Sequence, residues 1–162
     1  MDPETSSIFA GVVLLLFLSV PAQGADSAPW GQAAVDPIDY APQKVVYDVA
    51  EGDLERFERI LDRVSFLNNL YEADPFEASI VLVLHGDEIR FFAIENHDEF
   101  GELMRRAQSL TVSGPIEFRM CRVAAHERGF DPEDIHGFVR MVPMADAEII
   151  RLQQEEGYVF MQ

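Results

Sequence analysis

Ser79-Ile-Val-Leu-Val-Leu84, closed by His85-Gly86, holds five consecutive apolar residues between a serine and a histidine. A half-buried strand would alternate apolar with polar residues. This run does not alternate, which predicts a strand buried on both faces, as in a parallel sheet covered by helices. The flanking segments agree. Lys44–Val49 is a short β-rich run, and behind it Leu54, Phe57, Ile60, Leu61, Val64, Leu67, Leu70 and Tyr71 recur at helical spacing, with Asp53 as N-cap. On the other side, Glu88–Ile94 predicts a short extended piece. A second helix over Asp98–Leu110 then turns Phe100, Leu103, Met104, Ala107 and Leu110 inward.

Further along, Gly114-Pro115 turns the chain into a third strand, Ile116–Met120, and a short helix from Cys121 to Arg128 stops at Gly129. Asp131-Pro132-Glu133-Asp134 has the cap residue, first-position proline and acidic first turn of another helical start. Phe138–Val142 reads as a fourth strand. Asp146 is expected to cap a last helix that ends at Gly157, before a final strand Tyr158–Met161. Strand and helix take turns, so the expected fold is α/β, a mostly parallel sheet of about five strands with helices on both faces, over residues 44–162.

The ends of the chain read differently. Ile8–Val20 is an uncharged run of 13 residues, shorter than the roughly 17–25 of a spanning helix. Pro21 and the small residues Ala22-Gln23-Gly24 follow it, which predicts a signal peptide over 1–24 and an exported, periplasmic protein with no stable membrane span once the leader is cleaved. The segment before the run departs from the usual pattern by carrying Asp2 and Glu4 and no basic residue. Residues 25–43 contain three prolines and five alanines and read as an extended arm or linker, with Trp30, Ile38 and Tyr40 available to dock.

Twelve basic residues, eleven of them Arg, stand against 29 acidic ones for a net charge of −17. That balance excludes a broad nucleic-acid surface, which needs positive charge to displace counterions, and disfavours an anionic membrane. With Cys121 as the single cysteine, neither an intramolecular disulfide nor a Cys-rich zinc site can form. The loop after the first strand, Val49-Ala-Glu-Gly-Asp53, is acidic and lacks a phosphate-cradling glycine pattern, so no nucleotide or flavin cofactor is expected. No G-x-S-x-G elbow is present.

In parallel sheets ligands bind beyond the carboxyl ends of the strands. That rule selects Asp48, His85-Gly86 and Cys121. Cys121 stands where a strand gives way to a helix, where unpaired N–H groups and the helix dipole favour the nucleophilic thiolate, with Arg119 and Arg122 close by in sequence. The competing reading is a free cysteine that merely packs. His85 stands at the crevice, where it could polarise or deprotonate a bound group or simply bond to backbone. His126, five residues after Cys121, faces elsewhere on a helix, and His97 and His136 are expected to be solvated. Asn68-Asn69 is expected to cap the first helix. No metal-ligand spacing is evident, and no metal is expected.

An ordered set of segments then resembles the DsrE/DsrF-like family. Lys44-Val-Val-Tyr47 opens the domain, Leu67-Asn68-Asn69-Leu70 closes the first helix, and Ile80-Val-Leu-Val-Leu-His85-Gly86 forms the second strand. Phe118-Arg-Met-Cys121 places the cysteine, and Ile149-Ile-Arg-Leu-Gln153-Gln-Glu-Glu-Gly157-Tyr158 forms the tail. The resemblance implies a flavodoxin-like α/β fold, homo-oligomers (trimers or hexamers), and sulfur relay through a persulfide on Cys121, exchanged with a thiol or sulfane-sulfur donor or acceptor protein. A polar residue common in the family two places after the cysteine is Val123 here. Three readings stay open: sulfur transfer through Cys121 with His85 tuning protonation, a non-enzymatic exported scaffold with a structural cysteine, and a metal carrier in which His85 and Cys121 converge.

Overall fold

The structure, a computed structural model, describes residues 30–112 and 114–162, so the leader expected at 1–24 and the start of the arm lie outside the described residues. The chain divides into two units, Met1–Ile38 and Asp39–Gln162. In the first, residues 31–38 form neither helix nor strand, and Trp30 is exposed. Among the described residues no helix is long and apolar enough to cross a membrane.

The second unit is a five-stranded, all-parallel sheet in the order β4-β3-β2-β1-β5. Its elements are β1 (Gln43–Val49), α1 (Leu54–Leu70), β2 (Ala78–Leu84), α2 (His97–Val112), β3 (Ile116–Cys121), α3 (Arg122–Glu127), β4 (Val139–Val142), α4 (Ala145–Glu156) and β5 (Val159–Met161). The non-alternating run is the centre of this sheet. β2 pairs with β1 on one side and β3 on the other, and Ile80, Val81, Leu82, Val83 and Leu84 are all fully buried. Each such side chain contributes roughly 1.5–3 kcal/mol relative to exposure.

Right-handed crossovers decide which face each helix covers. From β1 to β4 the chain steps in one direction, placing α1, α2 and α3 on one face; it then returns across the sheet to β5, which places α4 on the other. The contacts agree. On the first face Arg106 of α2 is ion-paired with Asp62 of α1, and Phe57 packs edge-on against Phe92 at 5.7 Å. On the second, Glu148 of α4 receives Nη1 of Arg119 from β3 at 2.5 Å. Asp53 caps α1 as expected, accepting from the Arg56 N–H at 2.9 Å, and Gly129 and Gly157 end α3 and α4 with φ of 84° and 75°.

Three local expectations are corrected. Glu88–Ile94 is not an extended piece but lies in two 3-10 turns, Asp87–Phe92 and Ile94–Asn96, with only Ala93 between them extended and bridged to Ile135. Glu88, Ile89, Phe91 and Phe92 are all buried, a demand that a strand with alternating faces would not meet. Asp146 does not cap α4. Met144 holds that position without a side-chain bond, because the buried Ala145 already belongs to the helix and moves Asp146 into the first turn. Nor does Asn68 cap α1 through its side chain. The end is closed by its backbone, the Asn68 carbonyl accepting from the Tyr71 and Ala73 N–H groups, while its Oδ1 is buried without a partner.

α4 is tied to the sheet by charge as well as by apolar packing. Arg119, only 7% exposed, donates to Glu117 at 2.9 and 3.1 Å as well as to Glu148, and Arg151 donates to Glu148 at 2.9 and 3.1 Å. The bonds from Arg151, and then those from Arg119, hold the Glu148 carboxyl below its ordinary value against the opposing effect of burial. Removing one partner of a buried pair strands the other. Arg119→Ala is expected to cost about 3 kcal/mol in urea unfolding, near the lower end for such losses because Arg151 still pairs with Glu148. A depressed pKa stabilises above the ordinary carboxylate range and ceases to do so as pH falls through it. Glu148→Gln should therefore flatten the acid limb of a stability-against-pH curve, and an unchanged limb would contradict the assignment.

Candidate functional site

β1, β2 and β3 end in register at one edge of the sheet. Asp48 pairs with Val83, and Leu84 with Met120, so His85 and Cys121 stand level on neighbouring strands. The His85 N–H continues the ladder by donating to the Val49 carbonyl at 3.1 Å. Side chains alternate along strands, so Asp48, His85, Arg119 and Cys121 share the face on which α4 lies. His85 Nε2 and Asp48 Oδ1 are 2.5 Å apart, and both side chains are partly exposed. The carboxylate orients the imidazole. Sequence reading selected both positions as strand ends but not their pairing, which follows from strand register.

Cys121 is the N-cap of α3. Its Sγ accepts from the Ala124 N–H at 3.4 Å, and the residue is 4% exposed. The expected contribution of Arg119 to this sulfur is not found, because its guanidinium is occupied by Glu117 and Glu148. Arg122 opens α3, and His126 points away as expected, exposed and 3.3 Å from Asp131. His85 and Cys121 bond to separate partners, Asp48 and the Ala124 N–H. Among the described residues, no group of three or more His, Cys, Asp and Glu side chains is arranged to hold a metal ion.

Topology singles out the Cys121 end of this edge. In open α/β sheets the crevice forms where loops leave adjacent strands for opposite faces. Here the loop after β3 leads to α3 and the loop after β4 leads to α4, so the switch lies between the ends of β3 and β4. In the flavodoxin order, 2-1-3-4-5, it lies between β1 and β3. A groove of about 570 Å³ occurs at this place, lined by Arg122 and Val123 after β3, by Pro143 after β4, and by His126 and Asp131.

Glu88 escaped sequence reasoning. It is fully buried, yet its carboxyl accepts from the Gly86 N–H at 2.8 Å and the Glu51 N–H at 2.7 Å. It thereby clamps the turn carrying His85 to the loop after β1. Gly86 is the only residue type that fits beside it, since a Cβ there would stand 2.5 Å from the Ala50 Cα and 2.6 Å from Glu88 Oε2. No periodicity marks Glu88. The one available signal was a glycine two residues ahead of a carboxylate.

These features define an open parallel α/β domain with a single cysteine where its third strand turns into a helix. The sequence pattern of the DsrE/DsrF-like family matches residues 56–162, and the chain belongs to that family. The fold is similar to that of a solved protein of unknown function from Methanobacterium thermoautotrophicum, with a TM-score of 0.51 and 21% identity over 74% of this chain and 97% of that one. No functionally curated protein matches the sequence.

Burial raises the Glu88 pKa, outweighing the N–H bonds from Gly86 and Glu51 and the charge of His85, which lower it. A raised carboxyl pKa stabilises most below the ordinary glutamate range, and this contribution is lost as pH rises through the folded-state value. Glu88→Gln cannot ionise and surrenders one acceptor, at a cost of about 1–3 kcal/mol. Urea unfolding should show its deficit relative to the parent shrinking as pH rises through that window. A deficit independent of pH would mean that Glu88 does not change its protonation on folding.

Proposed function

We propose that this DsrE-like protein is a sulfur carrier acting through Cys121. What supports the reading above all is the placement of Cys121 at the β3–α3 junction, beside the groove at the topological switch, with a backbone N–H donating to its sulfur. In the step, the Cys121 thiolate attacks the outer sulfur of a donor persulfide R–S–SH. The S–S bond of the donor breaks, R–S⁻ leaves, and Cys121–S–SH forms. An acceptor thiolate then takes the outer sulfur and returns Cys121 to its thiolate. Exchange of this kind has no net redox change and needs no metal or organic cofactor. His85, oriented by Asp48 one strand away, supplies a proton acceptor at the same edge. The same proposal includes export, a homo-oligomer, and a thiol protein as donor or acceptor.

The burial of Cys121 favours a second reading, an exported oligomeric scaffold in which the cysteine only packs. Under the first reading the opening turn of α3 must yield to admit a partner sulfur. α3 is six residues long and ends in a left-handed Gly129, so little helical structure has to move.

Native mass spectrometry after polysulfide treatment separates the two. Sulfur transfer predicts adducts in steps of about 32 Da per sulfur atom on the native chain and none on Cys121→Ser. If the thiol takes up sulfur and alkylating reagent only after denaturation, the carrier reading fails and the scaffold remains. His85→Ala is expected to slow loading about tenfold or more, in line with loss of a positioned base.

A further inference from the structure

His97 is exposed, as expected from sequence, whereas His136 is partly buried rather than solvated. His97 opens α2, and its ring rests over Gly101 one turn later, where an added Cβ would stand 3.1 Å from Cε1 and 3.2 Å from Nε2. His136 lies just before β4. Its N–H donates to the Phe92 carbonyl at 3.1 Å, and its ring stacks on Phe138 at 6.1 Å between centroids. The two imidazole centroids are 5.5 Å apart with planes at 74°. His136 Nε2 is shielded from solvent and has no hydrogen-bond partner. Both rings line one cavity of about 360 Å³, with Met104, Arg105 and Gln108.

We propose that His97 and His136 form a two-histidine site for a transition-metal ion of the Zn²⁺, Ni²⁺ or Cu²⁺ kind, with its remaining positions open to the cavity. The ring spacing fits a shared ion. A Zn–N bond of about 2.0–2.1 Å puts the metal roughly 3.2 Å from each ring centre, so two rings at a tetrahedral angle stand about 5.2 Å apart. The observed 5.5 Å needs only a few tenths of an ångström of closure. Nε2 of His136 gives the second argument. A buried nitrogen without a partner is a cost that a metal bond removes. Imidazole ligands select borderline ions over Mg²⁺ and Ca²⁺, which prefer oxygen. Charge acts in both directions. Arg105 lines the same cavity and opposes a cation, but it lies 3.9 Å from Glu102 and the chain as a whole carries −17. Two protein ligands are fewer than the four of a structural zinc site, so the ion is expected to exchange. The site does not rest on Cys121 or on sulfur chemistry.

Calorimetric titration of the full chain, freed of metal by chelation, tests it. Zn²⁺ should bind one to one and Mg²⁺ should give no heat. His97→Ala and His136→Ala should each weaken Zn²⁺ binding at least about tenfold, since loss of even an outer-shell partner has effects of that size. His126→Ala, an exposed histidine elsewhere, should change nothing. Circular dichroism checks that each variant is folded, and His97→Ala, an exposed position, keeps the test open if His136→Ala is not. No Zn²⁺ binding by the parent chain, or undiminished binding by His97→Ala, overturns the proposal.

Discussion

Burial of β2 on both faces is the constraint from which the architecture follows. A strand with no exposed side chain must have a sheet neighbour on each side and a helical layer above and below it. β1 and β3 supply the neighbours, β1 in parallel register along all of β2 and β3 along Ile80–Leu84. The layers come from right-handed crossovers: three connections in one direction cover one face, and the return through α4 covers the other. That single reversal also creates the crevice, because it sends the loops after β3 and β4 to opposite sides of the sheet. The core and the candidate site therefore have one topological cause.

At this edge the chain buries two ionisable groups and holds each with several hydrogen bonds. A carboxyl, Glu88, is buried outright and held by two N–H groups, fixing the turn that carries His85. A guanidinium, Arg119, is buried two residues before the cysteine and matched by two carboxylates. Buried charge is expensive unless it is paired and hydrogen-bonded. Here both groups join separate elements: Glu88 links two loops, and Arg119 links the sheet to α4. Cys121 ends β3 and caps the short α3. A frame of this kind around a six-residue helix suits a thiol that is sheltered at rest and reached by a partner. The same burial would serve a purely structural cysteine, so chemistry on the native chain separates the two roles.

Much of the fold was legible because periodicity reports burial directly. β1, α1, β2, α2 and β3 fall within a few residues of their expected bounds, and the caps at Asp53, Gly129 and Gly157 use local chemistry that depends on no distant residue. Glu88–Ile94 was misread because its apolar residues do not alternate as a strand requires, and their burial in 3-10 turns depends on what packs around them. The expected cap at Asp146 lies two residues past the observed one at Met144, since burial of Ala145 rather than side-chain capping sets the start of α4. The candidate site was legible as a set of strand ends and no further. That Arg119 turns to Glu148 rather than to Cys121 depends on the return of α4, which is 29 residues away in sequence from the arginine it meets.

Local pattern, then, was enough to specify an alternating α/β domain and a cysteine at a strand-to-helix junction, because side-chain spacing and capping act within a few residues. Long-range packing alone settled the strand order, the His85–Asp48 pair, the Glu88 clamp, the burial of Cys121 and the meeting of His97 with His136. Each of these joins residues from different elements. The free energy that brings them together comes from the closed core, which no short window of residues contains.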